Sequence, residues 1–105
     1  MVKYDKMVVK RSKKQGKKYM AVFTDTSTGR KKITNFGQSG ATDYLISKDK
    51  DRRKRYIQRH KKDLKTRDPT RAGHLSLFLT WSYGNENSTS LRTNVSAYKT
   101  RFGFK

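Results

Sequence analysis

The chain has 105 residues, and its 27 Lys and Arg against 8 Asp and Glu give a formal charge of +19 at pH 7. That length holds one small domain, and that charge points to an anionic partner: nucleic acid, an anionic membrane or an acidic protein surface. The absence of cysteine excludes disulfides and thiolate metal sites. No apolar run approaches the roughly 18 residues of a membrane span, and "MVKYDKMVVK" lacks the apolar segment of a secretory signal. A soluble protein, acting inside a cell or packaged from inside one, is expected. Leu, Ile, Val and Phe make up 19 of the 105 residues, near the rough 20% limit below which highly charged chains stay disordered. Six Tyr and one Trp add apolar area, so the expectation is a fold with a thin core that a binding partner completes.

The predicted fold class is α+β, a single domain over 1–105. Residues 3–37 read as a three-stranded antiparallel β-meander. "KYDKMVVKRS" and "KKYMAVFTD" flank a charged turn closed by Gly16, and "TSTG" before "RKKITNFG" places Gly29 at a positive-φ turn position. Alternation puts Tyr19, Ala21 and Phe23 on one face and Met20, Val22 and Thr24 on the other.

Residues 41–105 read as a helical part with three α-helices. Gly37 and Gly40 mark a loop, after which Thr42 or Ser47 can cap a helix over 49–65. Asp49 and Asp51 suit its first turn, and Lys61, Lys62 and Lys65 its last. Tyr56, Ile57, His60 and Leu64 share one side of it; Arg52, Arg55, Arg59 and Lys62 share another. A second helix, around 69–83, has Asp68 as N-cap, Pro69 at its first position and Gly84 at its stop. Leu75, Leu77, Phe78, Leu79 and Trp81 cover more than one of its faces, which makes it the centre of the core. In "STSLRTNVSAYKTRFGF", Leu91, Val95, Tyr98 and Phe102 mark a third, amphipathic helix.

Catalysis finds little support. His60 and His74 are fourteen positions apart and read as structural, and Asp63 and Asp68 fit no metal-ligand spacing. Asp49 and Asp51 lie among cations that keep them ionised, which suits helix-start charges and partners for Arg53 and Arg55. "GQSG" is neither a nucleophile elbow nor a phosphate loop, though its backbone amides could hold an anion. The Asn87 and Asn94 sequons read as chance matches without a secretory signal. No enzyme activity, cofactor or small-molecule substrate is expected.

Charge is concentrated at 48–71, where 12 basic and 4 acidic residues give +8. This exceeds what solubility needs and marks Lys50, Arg52, Arg53, Arg55, Arg59 and Lys62 as residues for an acidic partner or for phosphates. Tyr56 is the one aromatic residue of that helix and faces the core side, so contact without base readout is the expected chemistry.

Three blocks in order, "FGQSGATDY", "KDKDRRKRYIQRH" and "DPTRAGHLSLFLTW", resemble a group of small basic proteins of the nucleocytoplasmic large DNA viruses, the giant viruses and their algal-virus relatives. The resemblance covers roughly residues 36–81. It implies a virion constituent, a minor capsid or inner-shell cement protein with other capsid proteins as partners. It would be found in the virion, and in the host cytoplasm or nucleus during assembly. The residues leave a second function open, a DNA-packaging protein that neutralises phosphates whatever the sequence.

Overall fold

The structure, a computed structural model, describes residues 3–105. Strands β1 (Lys6–Arg11), β2 (Lys17–Thr24) and β3 (Lys31–Gln38) form an antiparallel sheet in the order β1-β2-β3, the predicted meander. Gly29 has φ 77°, and its N–H donates to the Asp25 carbonyl at 2.7 Å. Any side chain would strain that left-handed position. The register sets Met7 opposite Phe23, Val9 opposite Ala21, and Tyr19 opposite Phe36. One face therefore carries Met7, Ala21, Phe23 and Phe36, all 0% exposed, into the core.

Four α-helices follow: α1 (Tyr44–Ser47), α2 (Lys50–His60), α3 (Ala72–Leu75) and α4 (Leu91–Phe102). The expected helix over 49–65 is thus corrected at both ends. Asp43 and Asp49, not Thr42 or Ser47, are the N-caps, and each starts its own helix. The Asp43 side chain accepts from Leu45 N–H, and Asp49 accepts from the N–H groups of Asp51 and Arg52. Lys48, left-handed at φ 55°, separates the two. After His60 the chain tightens into a 3₁₀ turn, Lys61–Thr66, which ends at a left-handed Arg67. That segment lays Leu64 on the core.

The central helix also starts later than expected. Asp68 does not cap it: its Oδ1 accepts from Thr70 N–H at 2.9 Å and from Thr70 Oγ1 at 2.6 Å, which folds 68–71 into a turn. Helix α3 opens at Ala72 and runs on as a π turn, Ser76–Thr80, where Trp81 N–H reaches the Ser76 carbonyl at 3.2 Å. The helix stops at Thr80, short of Gly84, because Ser82 takes the left-handed position (φ 53°). Its place in the core is as predicted. Leu75, Leu77 and Leu79 are 0% exposed and join Phe78, the inner sheet face, Tyr98 and Phe104 in one cluster.

Helix α4 is capped by Ser90, which accepts from Thr93 N–H, and closed by a left-handed Gly103. Gly103 turns Phe104 onto Phe23, with ring centroids 5.3 Å apart, and lets the last residue extend the sheet. Lys105 N–H donates to the Asp5 carbonyl at 2.8 Å, and its carbonyl accepts from Met7 N–H at 3.0 Å. Lys105 is thus tied to the start of β1. On the other side of the core, Tyr98 Oη donates to the Pro69 carbonyl and meets His74 Nδ1, each at 2.7 Å. Since that hydroxyl proton is already given to Pro69, the His74 nitrogen is the donor. Burial lowers the His74 pKa and raises that of Tyr98, which favours the neutral form of each.

Candidate functional site

Helix α2 forms from Asp49 as cap, Asp51 in its first turn, and a run of long straight side chains interrupted by one β-branched residue, Ile57. Its inner side is fastened in three ways. Arg53 Nε donates to the Trp81 carbonyl at 3.0 Å and its Nη2 to the Ser82 carbonyl at 2.9 Å, while the guanidinium lies 5.5 Å from the Tyr44 ring centre. Tyr56 is sandwiched between Trp81 and His60, with centroids 4.1 Å away on either side. Ile57 packs on the core edge. Burial raises the Tyr56 phenol above its ordinary value; the Asp63 carboxylate adds to the effect and Arg59 opposes it. Both faces of the Tyr56 ring are thus covered, which leaves it unable to stack on a nucleic-acid base.

The six expected contact residues fall into three groups. Arg52, Arg55 and Arg59 are exposed on one side of α2, and Lys62 continues that row into the 3₁₀ turn. Lys50 is exposed too, 3.6 Å from the Glu86 carboxylate. Arg53 differs. Its fork is spent on two main-chain carbonyls, so it fixes the helix and does not share the exposed row. The expected pairing of Asp49 and Asp51 with Arg53 and Arg55 is not formed: Asp49 serves the helix N-terminus, and Arg53 points inward. Among the described residues, the ion pairs are Lys18–Asp43, Lys50–Glu86, His60–Asp63 and Arg71–Asp68. Arg52, Arg55, Arg59 and Lys62 appear in none of them.

Asp63, the acidic residue next to Lys62 in the chain, is held elsewhere. Its carboxylate lies against Gly73, so close that a Cβ there would come within 2.7–2.9 Å of its atoms, and its Oδ2 is 3.7 Å from His60 Nδ1. At "GQSG" the Ser39 N–H donates to the Gly16 carbonyl at 2.9 Å, and the start of the helix that follows is capped from within the chain. Asp43 carries its own carboxylate to the start of α1 and takes Lys18 Nζ at 2.9 Å.

A cleft of about 260 Å³ opens between the Lys17 and Gln38 end of the sheet and the Tyr56–Trp81 stack. The sequence gives no sign of it, because its walls come from positions as far apart as Lys17 and Trp81. Among the described residues, no group of three or more His, Cys, Asp or Glu is placed to hold a metal ion, and no helix is long and apolar enough to cross a membrane.

No curated protein and no solved structure matches the chain. One family's sequence model does, over residues 7–60, from the second residue of β1 to the last of α2: a family of unknown function (DUF5754). The match spans just over half of the chain, and the protein belongs to that family.

Proposed function

We propose that the protein is a structural component of the virion of a large icosahedral double-stranded DNA virus, a minor capsid or inner-shell cement protein that binds acidic surfaces of neighbouring subunits through α2. One observation carries the chemistry: the row Arg52, Arg55, Arg59 and Lys62 is exposed and without an acidic partner in any described ion pair, on a helix fixed by Arg53 and Tyr56. Guanidinium groups bind carboxylates in pairs of parallel hydrogen bonds, and a helix fastened to the core presets the spacing of the row. Resemblance to the virion proteins supplies the setting. The protein acts by binding, without an enzymatic step.

The same row could neutralise phosphates, which is the DNA-packaging alternative. Density for whole particles separates the two. The cement reading expects ordered copies under the shell, with α2 against Asp and Glu of a capsid subunit. Copies found only within the genome-filled interior would reject it and make packaging the function.

A further inference from the structure

The outer face of the sheet breaks the pattern of a solvated antiparallel sheet, whose water-facing positions are polar. Val8, Val22 and Ile33 are direct neighbours across the three strands, and Met20 stands next to Val22 on the same face, between Lys10 and Asn35. Ile33 is 59% exposed. Of the partly buried apolar residues, Val9 and Tyr19 pack on the core from the inner face, whereas none of these four does. The result is one apolar row and its neighbour, turned away from the helices. Lys6, Lys10 and Lys31 surround it, all exposed, and the three strands contain no Asp or Glu.

We propose that this face is a second docking surface, and that its occupant is a protein surface with an apolar centre and a rim of Asp and Glu. Four contiguous apolar side chains on the outer face, Ile33 exposed and Val8, Met20 and Val22 half-buried, mark an interaction site, and the lysine rim sets the partner's charge. A second copy of this chain would bring lysines against lysines, at +19 per copy. Duplex DNA offers phosphates to the rim but nothing to the Val and Ile centre. A membrane surface is usually gripped by Trp, Phe or Leu side chains that reach below the headgroups, and this flat face has none. The surface lies across the sheet from the helical layer, so a partner here leaves the Arg52–Lys62 row free. The inference goes beyond the α2 reading and does not depend on it.

Photocrosslinking in the cells that produce the protein tests it, with benzoylphenylalanine at position 33 and, as a separate probe, at position 59. The expected product from position 33 is a bond to one protein, at a peptide where apolar residues are flanked by Asp or Glu. With that protein purified, Val22→Thr/Ile33→Thr should weaken binding about tenfold or more, because threonine keeps the strand but removes apolar contact. The Arg52→Ala/Arg55→Ala/Arg59→Ala protein should bind it as the parent does. Products with DNA, with lipid, with another copy of this chain or with a non-acidic protein surface would each overturn the proposal. So would no product at all from position 33, or full affinity in the threonine variant. Failure of the α2 reading shows separately, as a position-59 product on DNA alone.

Discussion

Arg53 gives the sharpest test of how the basic helix divides between fold and contact. Its two hydrogen bonds, 3.0 Å to the Trp81 carbonyl and 2.9 Å to the Ser82 carbonyl, are made by a charged donor in a half-buried setting. Hydrogen bonds of that kind contribute about 1.5–3 kcal/mol each, and the contact with Tyr44 adds roughly 0.5–1 kcal/mol. Water reaching the freed carbonyls in Arg53→Ala recovers part of this, which leaves a net loss of about 3 kcal/mol. For a domain near 100 residues that lowers the melting temperature by about 12–24 °C. Arg52→Ala, one position away and exposed, should stay within about 0.5 kcal/mol of the parent. Arg53→Lys should recover less than half, because an ammonium cannot reproduce the fork that spans two carbonyls. Urea unfolding of the three variants measures the differences. Equal stability of Arg53→Ala and Arg52→Ala would refute the assignment of Arg53 to the fold and return it to the contact row.

Gly73→Ala drives a Cβ to 2.7–2.9 Å from the Asp63 carboxylate and should cost about 1–3 kcal/mol by overpacking; most of that cost should vanish in an Asp63→Ala background, measured by urea unfolding. Leu75→Ala empties a fully buried position and should cost about 2–5 kcal/mol; under conditions where it is folded it should still bind its partners, and normal stability with lost binding would contradict the division into core and contact face. Burial lowers His74 below its ordinary 6.5, so the unfolded chain takes up a proton there at a higher pH than the folded one. Stability conferred by neutral His74 is therefore fully present above pH 6.5 and declines as the pH falls below it. Urea midpoints between about pH 7 and 5 should decline less in His74→Gln than in the parent, and equal slopes would remove His74 as the cause.

The sheet was legible because its signals are local. Turn glycines at 16 and 29 bracket runs whose alternation matches the register found, with Ala21 and Phe23 inward. Core helix α3 was legible in place but not in extent. Asp68 and Pro69 have the sequence of a helix start, yet the nearby Thr70 hydroxyl and N–H offered Asp68 a closer turn. The extra helix followed from the same competition, with two aspartates six positions apart each capping the amides next to it. Arg53 could not be told from Arg52 or Arg55 in sequence, since its partners are main-chain carbonyls 28 and 29 positions away that carry no side-chain signature. Likewise the outer-face apolar row becomes visible only when register aligns Val8, Val22 and Ile33 across three strands.

In the proposed function, the exposed arginines of α2 hold the protein to acidic surfaces in the particle. Replacing Arg52, Arg55 and Arg59 together by Ala removes three charges that make no described ion pair, so the fold should persist, as a melting curve would verify. Incorporation into particles is then measured beside duplex-DNA binding across a salt series. The folded triple variant should be lost from the shell. The salt dependence of its DNA binding should also become shallower by roughly 2–3 in the log–log slope, equally for all sequences. Normal incorporation together with lost DNA retention would contradict the proposed function and assign the arginines to the genome.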